Sequence, residues 1–265
     1  MGRFHRHDDG TEHSHDHDHE HHHDHEHHHG DHGDHGDHSG YATGSERIEV
    51  LEAIFAENDN RAEVNRKAFE DNGIRALNLM SSPGSGKTTV LAATLDELAA
   101  EISVGIIEGD IATDIDAAAL GGRGAQVSLL NTSNGFGGEC HLDAPMVTRA
   151  LAGLNLEPLD LVVIENVGNL VCPAEFDVGE HAKAMVYSVT EGEDKPLKYP
   201  VMFRSVDVVL LNKIDLVPHL DADVDTYVKR VRQVNPDATI LPVSARTGEG
   251  MAAWFDWLRA FASAR

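Results

Sequence analysis

The chain is 265 residues long and 41% hydrophobic, with 45 acidic against 21 basic residues, a formal charge of −24 with histidine neutral. That length can house one α/β domain with a full core plus an appendage, and the acidic balance disfavours nucleic acid and anionic membranes as partners. Two cysteines, Cys140 and Cys172, are too few for a disulfide scaffold; with no apolar leader and no run near the roughly 18 apolar residues of a spanning helix, the expected location is the cytoplasm.

Sixteen of the 19 histidines lie between His5 and His38, interleaved with Asp, Glu and Gly and almost without apolar residues. Such a segment buries too little to offset the entropy of ordering, so residues 1–42 are expected to form a disordered tail. Neutral imidazoles at this density suit Ni²⁺, Zn²⁺ or Cu²⁺. The candidates for reversible nickel binding are His13, His15, His17, His19, His21, His22, His23, His25, His27, His28 and His29. The interleaved acids and glycines do not look like an expression tag.

Ile48, Leu51, Ile54 and Phe55, then Val64 and Phe69, predict one or two amphipathic helices between about Ser45 and Asn72, a helical extension over 43–72. From residue 73 to 265 short apolar runs of buried-strand type fall at 76–80, 104–107, 127–130, 161–164, 206–211 and 240–243. Helical patterns at 88–100, 144–154, 223–234 and 250–262 fall among them. Alternation of this kind predicts a mostly parallel sheet with helices on both faces.

The stretch Ser81-Ser82-Pro83-Gly84-Ser85-Gly86-Lys87-Thr88 sits between the first run and the first helical pattern. A small-residue loop there turns backbone N–H groups onto a phosphate, and the helix N-terminus adds partial positive charge. Lys87 can reach the β- and γ-phosphates and the Thr88 hydroxyl can ligate Mg²⁺. Gly84, Ser85, Gly86, Lys87, Thr88 and Thr89 are the expected phosphate-binding set. Ser81 departs mildly from the usual leading glycine. The strand–loop–helix context predicts a P-loop NTPase.

Asn212-Lys213-Ile214-Asp215 directly follows the run at 206–211. At a strand's C-terminal end, Asp215 can accept from guanine N1–H and N2–H₂, a donor pair adenine lacks, and a buried carboxylate left unpaired rejects adenine. Lys213 can lay its stem on the purine and Asn212 can brace the loop. Ser244-Ala245-Arg246 adds a backbone N–H for guanine O6. The order of these elements selects GTP.

Two further loops belong at the phosphate end. Glu108-Gly109-Asp110 follows the second run, and Glu165-Asn166-Val167-Gly168 follows the run at 161–164. Asp110 and Glu165 are the candidate Mg²⁺ carboxylates, direct or through water. Gly168 can offer its N–H to the γ-phosphate, and Lys87, Asp110 and Glu165 are expected to carry catalysis. Asp114 and Asp116 are nearby acids that could orient water.

Cys140-His141 and Cys172 sit in loops rich in Gly and Pro. Two thiolates and an imidazole suit Zn²⁺ or Ni²⁺ and leave a coordination position open for water, a client or a second subunit. Inert buried thiols are the alternative. His181 and His219 have no evident partner and read as structural or surface residues.

Taken together these segments resemble the hydrogenase nickel-incorporation GTPases, the HypB family within the SIMIBI-type P-loop GTPases. The resemblance rests on the His-rich N-terminus, the cradle at 82–89, Glu108-Gly109-Asp110-Ile111-Ala112-Thr113, Gly138-Glu139-Cys140-His141-Leu142-Asp143-Ala144, Glu165-Asn166-Val167-Gly168-Asn169-Leu170-Val171-Cys172-Pro173 and Asn212-Lys213-Ile214-Asp215. It implies a slow GTPase using GTP and Mg²⁺, with Cys140, His141 and Cys172 as ligands for Ni²⁺ or Zn²⁺. It also implies nucleotide- and metal-dependent dimerisation, and partners among hydrogenase large-subunit precursors and other maturation factors. Some members carry an N-terminal cysteine cluster for nickel; this chain has none. A related GTPase for another nickel enzyme, such as urease, and a nickel store with a secondary nucleotide site are the alternatives.

Overall fold

The computed structural model describes residues 44–109, 120–130, 141–170, 172–174 and 176–264, with 44–51 and 172 described by backbone alone. The tail histidines, Asp110, Asp114, Asp116 and Cys140 lie outside the described residues. Helix α1 (Gly44–Asp71) leads into β1 (Arg75–Ser81), α2 (Lys87–Leu98), β2 (Val104–Glu108) and β3 (Gln126–Leu129). Then come α3 (Ala144–Leu151), β4 (Leu161–Glu165), β5 (Ala182–Ser188), the short helices α4 (Lys195–Lys198) and α5 (Pro200–Arg204), and β6 (Val208–Asn212). The described chain closes with α6 (Val224–Val234), β7 (Thr239–Pro242) and α7 (Met251–Ser263).

The seven strands form one sheet in the order β3-β2-β4-β1-β5-β6-β7, and every pairing is parallel. Burial on both faces explains the continuous apolar runs of the five inner strands, whereas the edge strands β3 and β7 are only partly covered. Leu77 and Leu79 of β1 face a core shared with Val90, Leu91 and Leu95 of α2 and with Trp254 and Leu258 of α7. The opposite face is divided. Ala76 meets Phe69 of α1 and Val147 of α3, whereas Met80 meets Phe203 of α5 and Tyr227 and Val231 of α6. Six of the strands coincide closely with apolar runs in the sequence.

The seventh strand, β5, was not expected. It lies between β1 and β6, almost wholly buried. Its sequence, Ala-Lys-Ala-Met-Val-Tyr-Ser, hides the pattern because Lys183 breaks the apolar run. The Lys183 ammonium reaches Glu180 at 3.3 Å, so the chain tolerates it near the strand's start.

Helix α1 is a single helix, and its buried stripe differs from the apolar one the sequence suggested. Ile54, Phe55 and Val64 are exposed, while Asn58, Ala62, Asn65 and Phe69 point inward at helical 4-3-4 spacing. The asparagines are buried because each meets backbone groups. Asn65 Nδ2 donates to the carbonyls of Ala144 (2.9 Å) and Val178 (3.0 Å), and its Oδ1 accepts from Thr148 Oγ1. Asn58 Oδ1 accepts from Ala144 N and its Nδ2 donates to the Asp177 carbonyl.

Candidate functional site

Parallel strands present their C-terminal ends on one edge, and the loops there converge. The turn after β1 carries Gly84 (φ 73°) and Gly86 (φ 103°), both in the left-handed region that favours glycine. At Gly86 a second constraint applies, because a Cβ would lie 2.6 Å from Asn212 Nδ2. That closeness has a purpose: Asn212 Nδ2 donates to the Ser85 carbonyl at 3.0 Å, and its Oδ1 accepts from Ala245 N at 3.1 Å. One buried asparagine at the end of β6 therefore ties the phosphate loop to the 244–246 turn.

A cleft of about 600 Å³ opens over this loop, lined by residues 83–89 together with Glu165, Val167, Gly168 and Lys213. The Lys87 ammonium donates to Ser81 Oγ at 2.9 Å, so the residue that replaces the usual first glycine holds the phosphate lysine. Gly168 approaches Pro83 so closely that a Cβ would meet three of its atoms at 3.2 Å. The loop after β4 is thereby pressed against the loop after β1, where a γ-phosphate would touch both.

A contiguous recess of about 320 Å³ is lined by Gly86, Thr89, Asn212, Lys213, Asp215, Leu216, Ala245 and Arg246. Asp215 Oδ1 accepts from Ser244 Oγ at 2.6 Å, which fixes the carboxylate toward the recess side of the turn. Lys213 takes a left-handed backbone (φ 65°), unusual for a side-chain-bearing residue, and its ammonium donates to the Gly84 carbonyl at 2.6 Å. Its aliphatic stem thus forms a wall between recess and cleft.

Glu165 ends β4 and stands in register beside Glu108 at the end of β2; both are buried. Glu165 and Thr88 line the same cleft, a carboxylate and a hydroxyl of the hard-oxygen kind that Mg²⁺ takes.

His141 lies two residues before the Asp143 cap of α3, whose carboxylate accepts from Met146 N at 2.7 Å. Its imidazole stacks on Phe176 (centroids 4.1 Å, 32° tilt), and Phe176 stacks in turn on Phe55 of α1. Cys172 opens a short 3₁₀ turn, Cys172–Ala174. Among the described residues no three His, Cys, Asp or Glu side chains cluster as a metal shell. His181, which had no expected partner, accepts a hydrogen bond from Ala76 N at Nδ1 (3.0 Å) while its backbone N–H donates to the Ala76 carbonyl at 2.8 Å. His219 ends the 3₁₀ turn Ile214–His219 and is exposed.

Residues 75–242 match the model of the CobW/HypB/UreG nucleotide-binding domain. The chain is 50% identical over 218 residues to the hydrogenase maturation factor HypB of Rhizobium leguminosarum, covering 82% of this chain and 72% of that protein. A crystal structure of HypB from Archaeoglobus fulgidus superposes with a TM-score of 0.72 at 37% identity, over 78% of this chain and all of that one. HypB from Helicobacter pylori in complex with nickel gives the same TM-score at 34% identity, over 78% of this chain and 95% of that one. The domain match over residues 75–242 and this degree of identity show that the chain belongs to the HypB family.

Proposed function

We propose that this protein is a cytoplasmic, GTP-hydrolysing nickel metallochaperone that helps insert nickel during maturation of [NiFe] hydrogenase. The observation that carries the reading is the Asn212 bridge, which joins a purine recess headed by Asp215 to a phosphate cleft headed by Lys87. Asp215 and Ser244 recognise guanine, Ala245 N–H and Arg246 border its O6 edge, and Gly84, Ser85, Gly86, Lys87, Thr88 and Thr89 hold the phosphates. Thr88 and Glu165, with Asp110, would hold Mg²⁺, which supplies charge neutralisation at the β- and γ-phosphates.

Lys87 holds the γ-phosphoryl and the Gly168 N–H orients it while water attacks phosphorus and the bond to the β-phosphate oxygen breaks, releasing GDP and phosphate. No arginine among the described residues lines the phosphate cleft, which favours slow turnover. Cys140, His141 and Cys172 take nickel or zinc, and the tail histidines store nickel. The loop that meets the γ-phosphate runs from Glu165 to Cys172, so nucleotide state and metal affinity are coupled reciprocally. The same loops form a two-fold dimer contact, loosened after hydrolysis.

The test is hydrogenase nickel content and activity in a strain lacking this protein, with and without added nickel. Loss that excess nickel restores is the expected result. Undiminished hydrogenase would defeat the reading, and loss of urease activity alone would move the client. Light scattering with GDP and with a non-hydrolysable GTP analogue decides the dimer, since equal mass in both states rejects nucleotide dependence.

A further inference from the structure

Asn166, the residue between Glu165 and the γ-phosphate loop, is buried, and a single atom of its side chain holds two different loops. Asn166 Oδ1 accepts from Val167 N at 3.0 Å and from Leu142 N at 3.0 Å. Val167 adjoins Gly168 over the phosphate cleft, and Leu142 adjoins His141. Two backbone N–H donors demand oxygen at that end of the amide, which assigns its orientation. The nitrogen end donates to Asn78 Oδ1 in the central strand at 3.3 Å, and Asn78 donates on to Glu180. The amide is therefore held from behind while its oxygen spans the two loops.

Leu142 has little freedom to move independently. It is fully buried, and Gly109, at the end of β2, lies so close that a Cβ there would come within 2.7 Å of the Leu142 side chain. Gly109 N–H donates to the Glu165 carbonyl at 3.0 Å, so both phosphate-end loops grip this residue. On its other side the next residues are pinned to α1, where Ala144 N–H donates to Asn58 Oδ1. A displacement of Val167 drawn by a γ-phosphate on Gly168 must either carry Leu142 along or strand a buried N–H, and the second course is costly.

We propose that Asn166 is the positioning residue through which nucleotide state is transmitted to the Cys140-His141 segment. This rests on the reading of coupled nucleotide and metal sites given above. The chain connection runs from Glu165 to Cys172; Asn166 adds a hydrogen bond across 24 residues of sequence to Leu142, the residue after His141.

The test uses the full chain and compares its affinities for a non-hydrolysable GTP analogue and for GDP, with and without saturating Ni²⁺. In the wild type, nickel should shift the analogue-to-GDP ratio by roughly 5- to 150-fold, the usual range for coupled sites. Asn166→Ala should reduce that shift to less than about twofold while nickel-free analogue affinity stays within about threefold of wild type. Asn166→Asp, which keeps an oxygen facing both N–H groups, should retain most of the shift. A shift that survives in Cys140→Ser would arise from the tail and overturn the assignment. No shift in the wild type defeats the coupled-site reading itself; a wild-type shift that persists in Asn166→Ala defeats only the role of Asn166. Should the alanine variant fail to fold, amide hydrogen exchange in the wild type decides: Leu142 and Val167 should change together between GDP and analogue. Exchange at Leu142 that ignores a change at Val167 overturns the proposal.

Discussion

In the proposed reading a single side chain, Asp215, selects the base. Its carboxylate is held at Oδ1 by the Ser244 hydroxyl, leaving the other oxygen for a donor on the purine. Asp215→Asn replaces an acceptor by an amide donor, which suits the C2 carbonyl of xanthine. The variant should therefore lose GTP affinity and gain XTP affinity, while the wild type prefers GTP to ATP by several orders of magnitude, as sites left with an unpaired polar group do. Competition binding with the three nucleotides reads this directly, and equal ATP and GTP affinity in the wild type would contradict the assignment. Lys87→Ala removes the ammonium that the proposed mechanism places on the γ-phosphate, and it should abolish phosphate release. Nickel bound by the tail should be untouched in that variant. Simultaneous loss of both activities would mean that the tail and the nucleotide site are not separate modules.

At the scale of elements, the sheet and its nucleotide loops were legible because parallel strands bury both faces and so write themselves as apolar runs. Strand β5 and the docking of α1 were not legible, for related reasons. In β5 a lysine paired with Glu180 interrupts the run; in α1 the inward residues Asn58 and Asn65 have the polarity of a solvent face. What buries them is satisfaction of backbone groups 79 to 119 residues away, which no local pattern encodes. Cutting Asn65 to alanine removes its donor from the Val178 and Ala144 carbonyls and its acceptor from the Thr148 hydroxyl, which keeps its bond to the Ala144 carbonyl. It should cost about 1–3 kcal/mol in urea unfolding of the full chain, and a cost under a few tenths would show that water replaces those bonds.

His181 should give the β1–β5 junction a pH dependence. Burial, and then the nearby Arg75 charge, hold its imidazole below the ordinary value, consistent with Nδ1 accepting from Ala76 N–H. The folded state therefore binds the proton less readily than the unfolded state. This group leaves stability unaffected above about pH 6.5 and removes it as the pH falls below that value toward the folded pKa. Glu180, whose carboxyl burial pushes upward, contributes with the opposite sign, so the informative quantity is the difference between wild type and His181→Gln. That difference should change between about pH 7 and pH 5 and be flat above it. A flat difference throughout would place the proton elsewhere.

For the whole molecule, the proposed function divides metal chemistry between the histidine tail and Cys140, His141 and Cys172, with the nucleotide site in the second part. Sixteen histidines precede residue 39, whereas both cysteines follow residue 139. Imidazole ligates only when neutral, so nickel held by the tail should be released as the pH falls through about 6, near the unperturbed pKa of about 6.5. Thiolates bound to a metal are not governed by that titration, and they release it according to their own proton competition. Removal of residues 1–42 should therefore cut bound nickel to roughly one ion per chain or fewer and erase the step near pH 6. GTP turnover should be unchanged, because every described residue around the nucleotide clefts lies beyond residue 82. Equilibrium dialysis of full-length and truncated protein from pH 5 to pH 8, with turnover measured in parallel, checks all three expectations. Undiminished stoichiometry after truncation would rule out storage in the tail, and a persisting step near pH 6 would place the titrating ligands outside residues 1–42.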